Sequence, residues 1–320
     1  AARKGCVVMS VNAVVRDWAM PVAQTLVSAP GAWTQALADV AAAVAQEKGV
    51  QAPVASGQAS NEAARAIAVA LLAGEQKAVL LGNAAAHHAQ ASSLLALAQW
   101  IAEQTGASVG YLTEAANTVG AQWVKAVPGQ GGLNAAEMLA GGLKGVILLN
   151  TEPVLDSAAG VKAAEALAQA EMVVTLSPFK TNLEFSDVLL PIAPFTETSG
   201  SFVNAEGRLQ SFHAVVRPLG ETRPAWKVLR VLANLLDLQG FDFETSQDVL
   251  SKATGAPAGQ AQSVPAELLD NRTTVVPQAA ASGAADPVVA SIYQLDGLVR
   301  RSTSLQLTAD ARLAREGAAA

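Results

Sequence analysis

Short apolar runs recur along the chain, each bounded by polar or turn-forming residues, and helical periodicity fills the gaps between them. Runs at 6–11 (CVVMSV), 77–81 (KAVLL), 107–112 (ASVGYL), 144–149 (KGVILL), 171–176 (EMVVTL) and 187–190 (DVLL) read as strands. The last does not alternate; Asp187 opens it and Pro191 closes it, as in a parallel strand covered on both faces. Helices are expected at 34–48, where Leu37, Val40 and Val44 share a face and Gly49 ends the run, at 60–73 with Ser60 as N-cap, and at 91–104. A further helix is expected over 158–170, capped by Asp156 or Ser157. The strongest is 223–238 (RPAWKVLRVLANLLDL): Pro224 suits its first turn, Trp226, Leu229, Ala233 and Leu236 form its apolar stripe, and Gly240 closes it. Residues 12–31 and 52–57 read as connectors.

Strand, helix and strand in alternation imply right-handed βαβ units. The expected fold is α/β: a doubly wound, mostly parallel sheet with flanking helices, plus a β-hairpin and an irregular C-terminal extension. The chain is expected to divide into part of a truncated α/β subdomain (1–55), an α/β nucleotide-fold-like domain (56–195), a polar loop with hairpin and capping helix (196–240), and the extension (241–320). From 253 to 286 the composition shifts to Ala, Gly, Pro and Gln, as in a surface connector. Ile292, Leu295 and Leu298 then offer a small apolar face before Arg300 and Arg301, and this piece is expected to dock back onto the domain.

Composition narrows the function. Hydrophobic residues are 51% of the 320, but the excess is alanine and aromatics are only 4%, which favours helices packed on a sheet. A net charge of −6 argues against nucleic acid as a partner. No apolar stretch reaches the ~18–20 residues of a spanning helix, because Asp39 and Arg65 interrupt the best candidates. The single cysteine, Cys6, is expected at the start of a buried strand; alone it cannot form an internal disulfide, an iron–sulfur cluster or a zinc ribbon. No secretory signal is visible, so a reducing, cytoplasmic setting is the default. Ala1 to Gly5 read like the end of a helix with Gly5 at its C′ position, which suggests a fragment or processed product.

Several groups invite a chemical reading. Gly82 and Asn83 end a strand, and His87-His88 follow, but adjacent helical residues point about 100° apart and a polar helix entrance explains them. Ser177-Pro178-Phe179-Lys180 matches a serine acyl-enzyme pattern without its companion motifs. Gly129 to Gly132 lack a Walker lysine and read as a tight turn. Asn150-Thr151-Glu152-Pro153-Val154-Leu155-Asp156 leaves a core strand at the end where α/β sheets take ligands. There Glu152 and Asp156 would repel a pyrophosphate unless a cation intervened. The stretch 186–210 places Glu197, Gly200, Asn204, Glu206, Gly207, Arg208 and Gln210 around a hairpin whose three-residue turn, 205–207, needs positive φ at Gly207. These groups either bind a ligand or satisfy one another, Arg208 with a carboxylate and Asn204 within the turn.

Those same residues carry a resemblance. Asp187, the apolar run, Leu190-Pro191 and the spacing Glu-x-x-Gly-x-Phe-x-Asn-x-Glu-Gly-Arg-x-Gln over 197–210 resemble the molybdopterin-oxidoreductase superfamily. The longer runs PIAPFTETSGSFVNAEGR (191–208) and RPAWKVLR (223–230) resemble the G-type iron–sulfur subunits of bacterial NADH:quinone oxidoreductases, respiratory complex I. The resemblance implies a structural, molybdopterin-oxidoreductase-like part of such a subunit, supporting electron transfer from NADH to quinone. It implies iron–sulfur clusters ligated in an N-terminal region this sequence lacks, other peripheral-arm subunits of complex I as partners, and a peripheral location on the cytoplasmic side of the inner membrane. It also implies that the loop 150–156 corresponds to one that cradles a dinucleotide cofactor in molybdopterin enzymes. No catalytic residue, no metal ligand and no molybdopterin are expected here; Gly82, Asn83, Asn150, Glu152, Asp156 and the hairpin residues are candidates for a vestigial cradle only. The alternatives are a segment of an active molybdopterin-dependent oxidoreductase and a stand-alone nucleotide-binding α/β protein.

Overall fold

In the computed structural model, residues 5–257, 259–260, 262–279 and 291–318 are described. The chain divides into two units, Ala1–Ala115 with Leu269–Val289 and Ala116–Leu268 with Ala290–Ala320. The expected helix end before Gly5 and the part of the connector at 280–286 lie outside the described residues; Gly5 itself has φ +84°.

The first unit opens with β1 (Met9–Asn12) and β2 (Gln24–Val27), paired in parallel from Met9 opposite Gln24. The ladder begins only at Met9, so Cys6 is exposed and starts no buried strand. The segment 12–31, expected as a connector, holds β2, a strand of four residues that is too short to show a period. Helix α1 (Trp33–Lys48) ends at Gly49, which takes φ +65°. Its alanines let it sit deep: Val40, Ala41 and Val44 are wholly buried, packed against α2 (Glu62–Ala73). Asp39 is buried among donors, accepting from Gln35 Nε2 (2.7 Å), the Gln58 amide (2.9 Å) and Asn61 Nδ2 (3.2 Å). That anchorage makes Asn61, not the expected Ser60, the N-cap of α2, with its Oδ1 accepting from the Ala64 amide at 3.2 Å. Then follow β3 (Ala78–Leu81), the short α3 (Asn83–Ala86), α4 (Ala91–Thr105) and β4 (Ser108–Tyr111), with β3 and β4 parallel. Leu94, Leu97 and Ile101 are the buried face of α4.

The second unit begins with α5 (Thr118–Trp123) and α6 (Ala135–Met138), followed by β5 (Gly145–Leu149), α7 (Pro153–Asp156), α8 (Val161–Leu167), β6 (Met172–Ser177) and β7 (Val188–Pro191). Strands β5, β6 and β7 form a parallel sheet in that order, over a core of Leu148, Leu167, Val173 and Phe185. Asp187 pins β7 to β6: its carboxylate accepts from the Val173 amide at 2.7 Å. Neither Asp156 nor Ser157 caps the helix expected over 158–170. Residues 153–156 make their own turn of helix, and α8 starts after Gly160, whose φ of +54° reverses the chain. The α/β fold is as expected, but its parallel strands are shared among three sheets instead of one.

Two antiparallel strands, β8 (Gly200–Val203) and β9 (Leu209–Phe212), make the hairpin, and α9 (Ala225–Leu235) follows. Pro224 sits at its N-cap, one place before the expected first turn. The helix stops short of Gly240: Asp237 takes φ +56°, its amide donates to Asn234 O (3.1 Å) and that of Leu238 to Ala233 O (2.9 Å). This is a Schellman closure, and it turns Leu236 out of the apolar stripe to 61% exposure. The extension carries α10 (Ser246–Thr254), α11 (Ile292–Leu295), α12 (Thr303–Gln306) and α13 (Ala309–Ala318). No helix among the described residues is long and apolar enough to cross a membrane.

Candidate functional site

At the carboxyl end of β5 the chain turns sharply. Asn150 takes φ +50° while its amide donates to Leu176 O at 2.8 Å, continuing the ladder by one bond. Asp156 then gathers the loop: its Oδ2 accepts from the Glu152 amide (2.7 Å) and the Thr151 hydroxyl (3.2 Å). From the other side Asn182 Nδ2 donates to Thr151 O at 3.0 Å. Three backbone or hydroxyl groups thus fix the direction in which Glu152 and Asp156 point.

What they point at is a pair of arginines far along the chain. Arg300 Nη2 lies 3.1 Å from Glu152 Oε1 and its Nη1 lies 2.9 Å from Asp156 Oδ1. Arg301 Nη1 is 2.8 Å from the same Glu152 oxygen, and its guanidinium stacks 4.1 Å from the centre of the Phe179 ring. The side chains of Arg300 and Glu152 are only 11% and 12% exposed, the inner half of a cluster of two carboxylates and two guanidinium groups whose other members, Asp156 and Arg301, are more open to solvent. Burial works to raise the Glu152 carboxyl, but hydrogen bonds from Arg301, Arg300 and Thr181 and the charge of Arg300 outweigh it and hold the group below its ordinary value. For Arg300, burial disfavours the charge, and the hydrogen bonds and charges of Asp156 and Glu152 more than restore it. The cation without which these carboxylates would repel a pyrophosphate is thus supplied by the chain itself. The cations were visible as Arg300-Arg301, yet 144 residues separate Arg300 from Asp156 and nothing local signals the pairing.

Of the hairpin groups, Asn204 and Glu197 spend their polar atoms on the backbone. Asn204 Oδ1 accepts from the amides of Glu206 (3.0 Å) and Arg208 (2.9 Å), and Gly207 takes φ +79° while its carbonyl accepts from the Val264 amide at 2.8 Å. Glu197 accepts from the Leu219 amide at 2.9 Å. Gly200 has no room for a side chain, because a Cβ there would lie 2.8 Å from the Phe212 ring. Glu206, Arg208 and Gln210 are exposed, and the carboxylate expected against Arg208 is not found among the described residues. In the first unit, Gly82 precedes α3 and its carbonyl accepts from Ala85 and Ala86, while Asn83 begins the helix. His87 pairs with Glu114 at 2.5 Å in the open, and buried His88 uses both ring nitrogens, on Pro30 O and the Gln90 amide. Ser177 Oγ accepts from the Phe179 amide at the exit of β6, and Gly129 to Gly132 make an exposed turn. No group of three or more metal-capable side chains occurs among the described residues.

Sequence reasoning also missed a cleft of about 230 Å³ in the second unit, bordered by Asn117, Trp123, Val203, Leu209, Trp226 and Leu250. It is apolar apart from a few side chains, and of the helices that help to close it α5 has only six residues and α10 is largely polar, so neither stands out in the sequence.

Comparison with known proteins gives this geometry a setting. A family profile described as molybdopterin oxidoreductase matches residues 55–235, more than half of the chain. The chain is 28% identical over 153 residues to a nitrate reductase of Shewanella frigidimarina, covering 46% of this chain and 16% of that protein. It is 40% identical over 70 residues to a "Probable oxidoreductase" of Bacillus subtilis, covering 22% and 7%. It is 44% identical over 59 residues to a "Putative formate dehydrogenase" of Staphylococcus aureus, covering 18% and 6%. The matches thus span no more than 16% of the length of these relatives.

Proposed function

The chain belongs to the molybdopterin oxidoreductase family, and from that premise we propose that it is a scaffold segment of an electron-transferring oxidoreductase. In its finer form the proposal is the molybdopterin-oxidoreductase-like part of the G-type iron–sulfur subunit in NADH:quinone oxidoreductase, respiratory complex I. One observation carries the scaffold reading: the carboxylates at the ligand end of β5 are neutralised by Arg300 and Arg301 of the same chain. A molybdenum centre asks for ligands at defined distances. Among the described residues the metal-capable groups do not gather, and Cys6 is exposed. These residues do not fit the group, so no step is routed through it. The runs at 191–208 and 223–230 support the complex I assignment. With it come clusters held upstream of this sequence, neighbouring peripheral-arm subunits as partners and a place on the cytoplasmic face of the inner membrane.

A second reading is a segment of an active molybdopterin-dependent enzyme, favoured by the relatives named nitrate reductase and formate dehydrogenase. Isolation of the intact native protein from membranes distinguishes the two. The first reading expects it to travel with an NADH-oxidising, quinone-reducing activity. Its recovery with formate or nitrate turnover instead would overturn the complex I proposal.

A further inference from the structure

The segment 291–307 is attached to its unit mainly through its two arginines and not through buried apolar side chains. Helices α11 and α12 have four residues each, too few to hold their shape alone, and none of those residues is buried. Most of its apolar side chains turn outward, Ile292 being 61% exposed, Leu298 44% and Leu307 58%, while Tyr293 and Val299 are half-buried. The first wholly buried apolar residue after the segment is Ala311, in α13. What joins 291–307 to the sheet is Arg300 on Glu152 and Asp156, and Arg301 on Glu152 and the Phe179 ring.

Internally the same segment is cross-braced. Gln306 Nε2 donates to Tyr293 O (2.9 Å) and Val299 O (3.0 Å), and Arg300 Nη1 donates to Gln294 O (2.7 Å). Asp296 Oδ1 accepts from the Leu298 and Val299 amides. These bonds tie both short helices and the turn between them into one braced piece. It also lies at a particular place, over the loop that leaves β5 and beside Phe179 just past the end of β6. That carboxyl edge is where open α/β sheets take ligands.

We propose that residues 291–307 form a strap, fastened by a two-arginine latch, that covers the carboxyl edge of β5 and β6 and releases as a unit while the sheet stays folded. Outward leucines would instead have been buried had the segment been a permanent part of the core. Arg300 Nε is buried without a hydrogen-bond partner among the described residues, so the latch is incompletely satisfied and holds less firmly than its ion pairs alone suggest.

Thiol labelling of the whole chain tests it. Thr181, whose hydroxyl reaches Glu152, is replaced by cysteine in a Cys6→Ser background, with and without Arg300→Gln and Arg301→Gln. Removing the latch is expected to speed maleimide labelling of the new thiol by about tenfold or more, while amide exchange in β5, β6 and β7 stays unchanged. An unchanged labelling rate overturns the strap, because the edge was then never covered. Loss of protection in the three strands, or failure of the chain to fold, overturns it equally, since the segment would then belong to the core.

Discussion

Gly207 holds the left-handed backbone (φ +79°) that closes the hairpin, with Asn204 bracing the turn from inside. Gly207→Val is expected to cost about 1–3 kcal/mol, because a β-branched residue rarely adopts that region. Thermal melting of parent and variant checks this, and equal midpoints would contradict it. Gly207 was legible because turn spacing is local information. Asn61 was not: Ser60 has the same capping chemistry, and only the buried Asp39 decides between the neighbours. Glu152 shows the same limit over a longer distance. Its carboxyl is held below its ordinary value of 4.5, so its contribution is fully present above that pH and is lost as the pH falls through the lowered value. The chain has two tyrosines, Tyr111 and Tyr293. With fluorotyrosine incorporated, the Tyr293 signal is expected to keep its folded position from neutrality down to about 4.5 and to move only below it. In Glu152→Gln it has already moved at neutral pH. A parent transition above 4.5 would contradict this account of the cluster.

At the scale of elements, strong periodicity locates helices well and their ends less so. The helix α9 ends five residues before Gly240, because Asp237 accepts the left-handed conformation that glycine usually supplies. Helix α10 is missed by periodicity although its capping box is written in the sequence: Thr245 Oγ1 accepts from the Asp248 amide at 3.2 Å, and Asp248 Oδ2 accepts from the Thr245 amide at 2.8 Å. Its polar composition hides it, since only Val249 and Leu250 mark an apolar face. Thr245→Ala is expected to weaken the helix by about 1 kcal/mol, and because α10 borders the apolar cleft, the fluorescence of Trp226 across it should shift with the loss. Unchanged amide exchange over 246–254 would show that the cap contributes nothing.

For the molecule as a whole, alternation of strand and helix correctly gave parallel strands, since each crossover returns the chain in the same direction. It could not give adjacency. Between β4 and β5 the chain spends 112–144 on two short helices and turns, and the strands on either side pair elsewhere. The site was legible as a position and not as a chemistry: the loop at 150–156 sits where an α/β sheet presents ligands, but its charge balance is set by Arg300 and Arg301. The central claim is that this strand end is occupied by the chain's own arginines in a scaffold without a pterin. Elemental analysis of the intact native protein, clusters included, tests it most directly. The account predicts iron without stoichiometric molybdenum or tungsten; one molybdenum or tungsten per chain would contradict it.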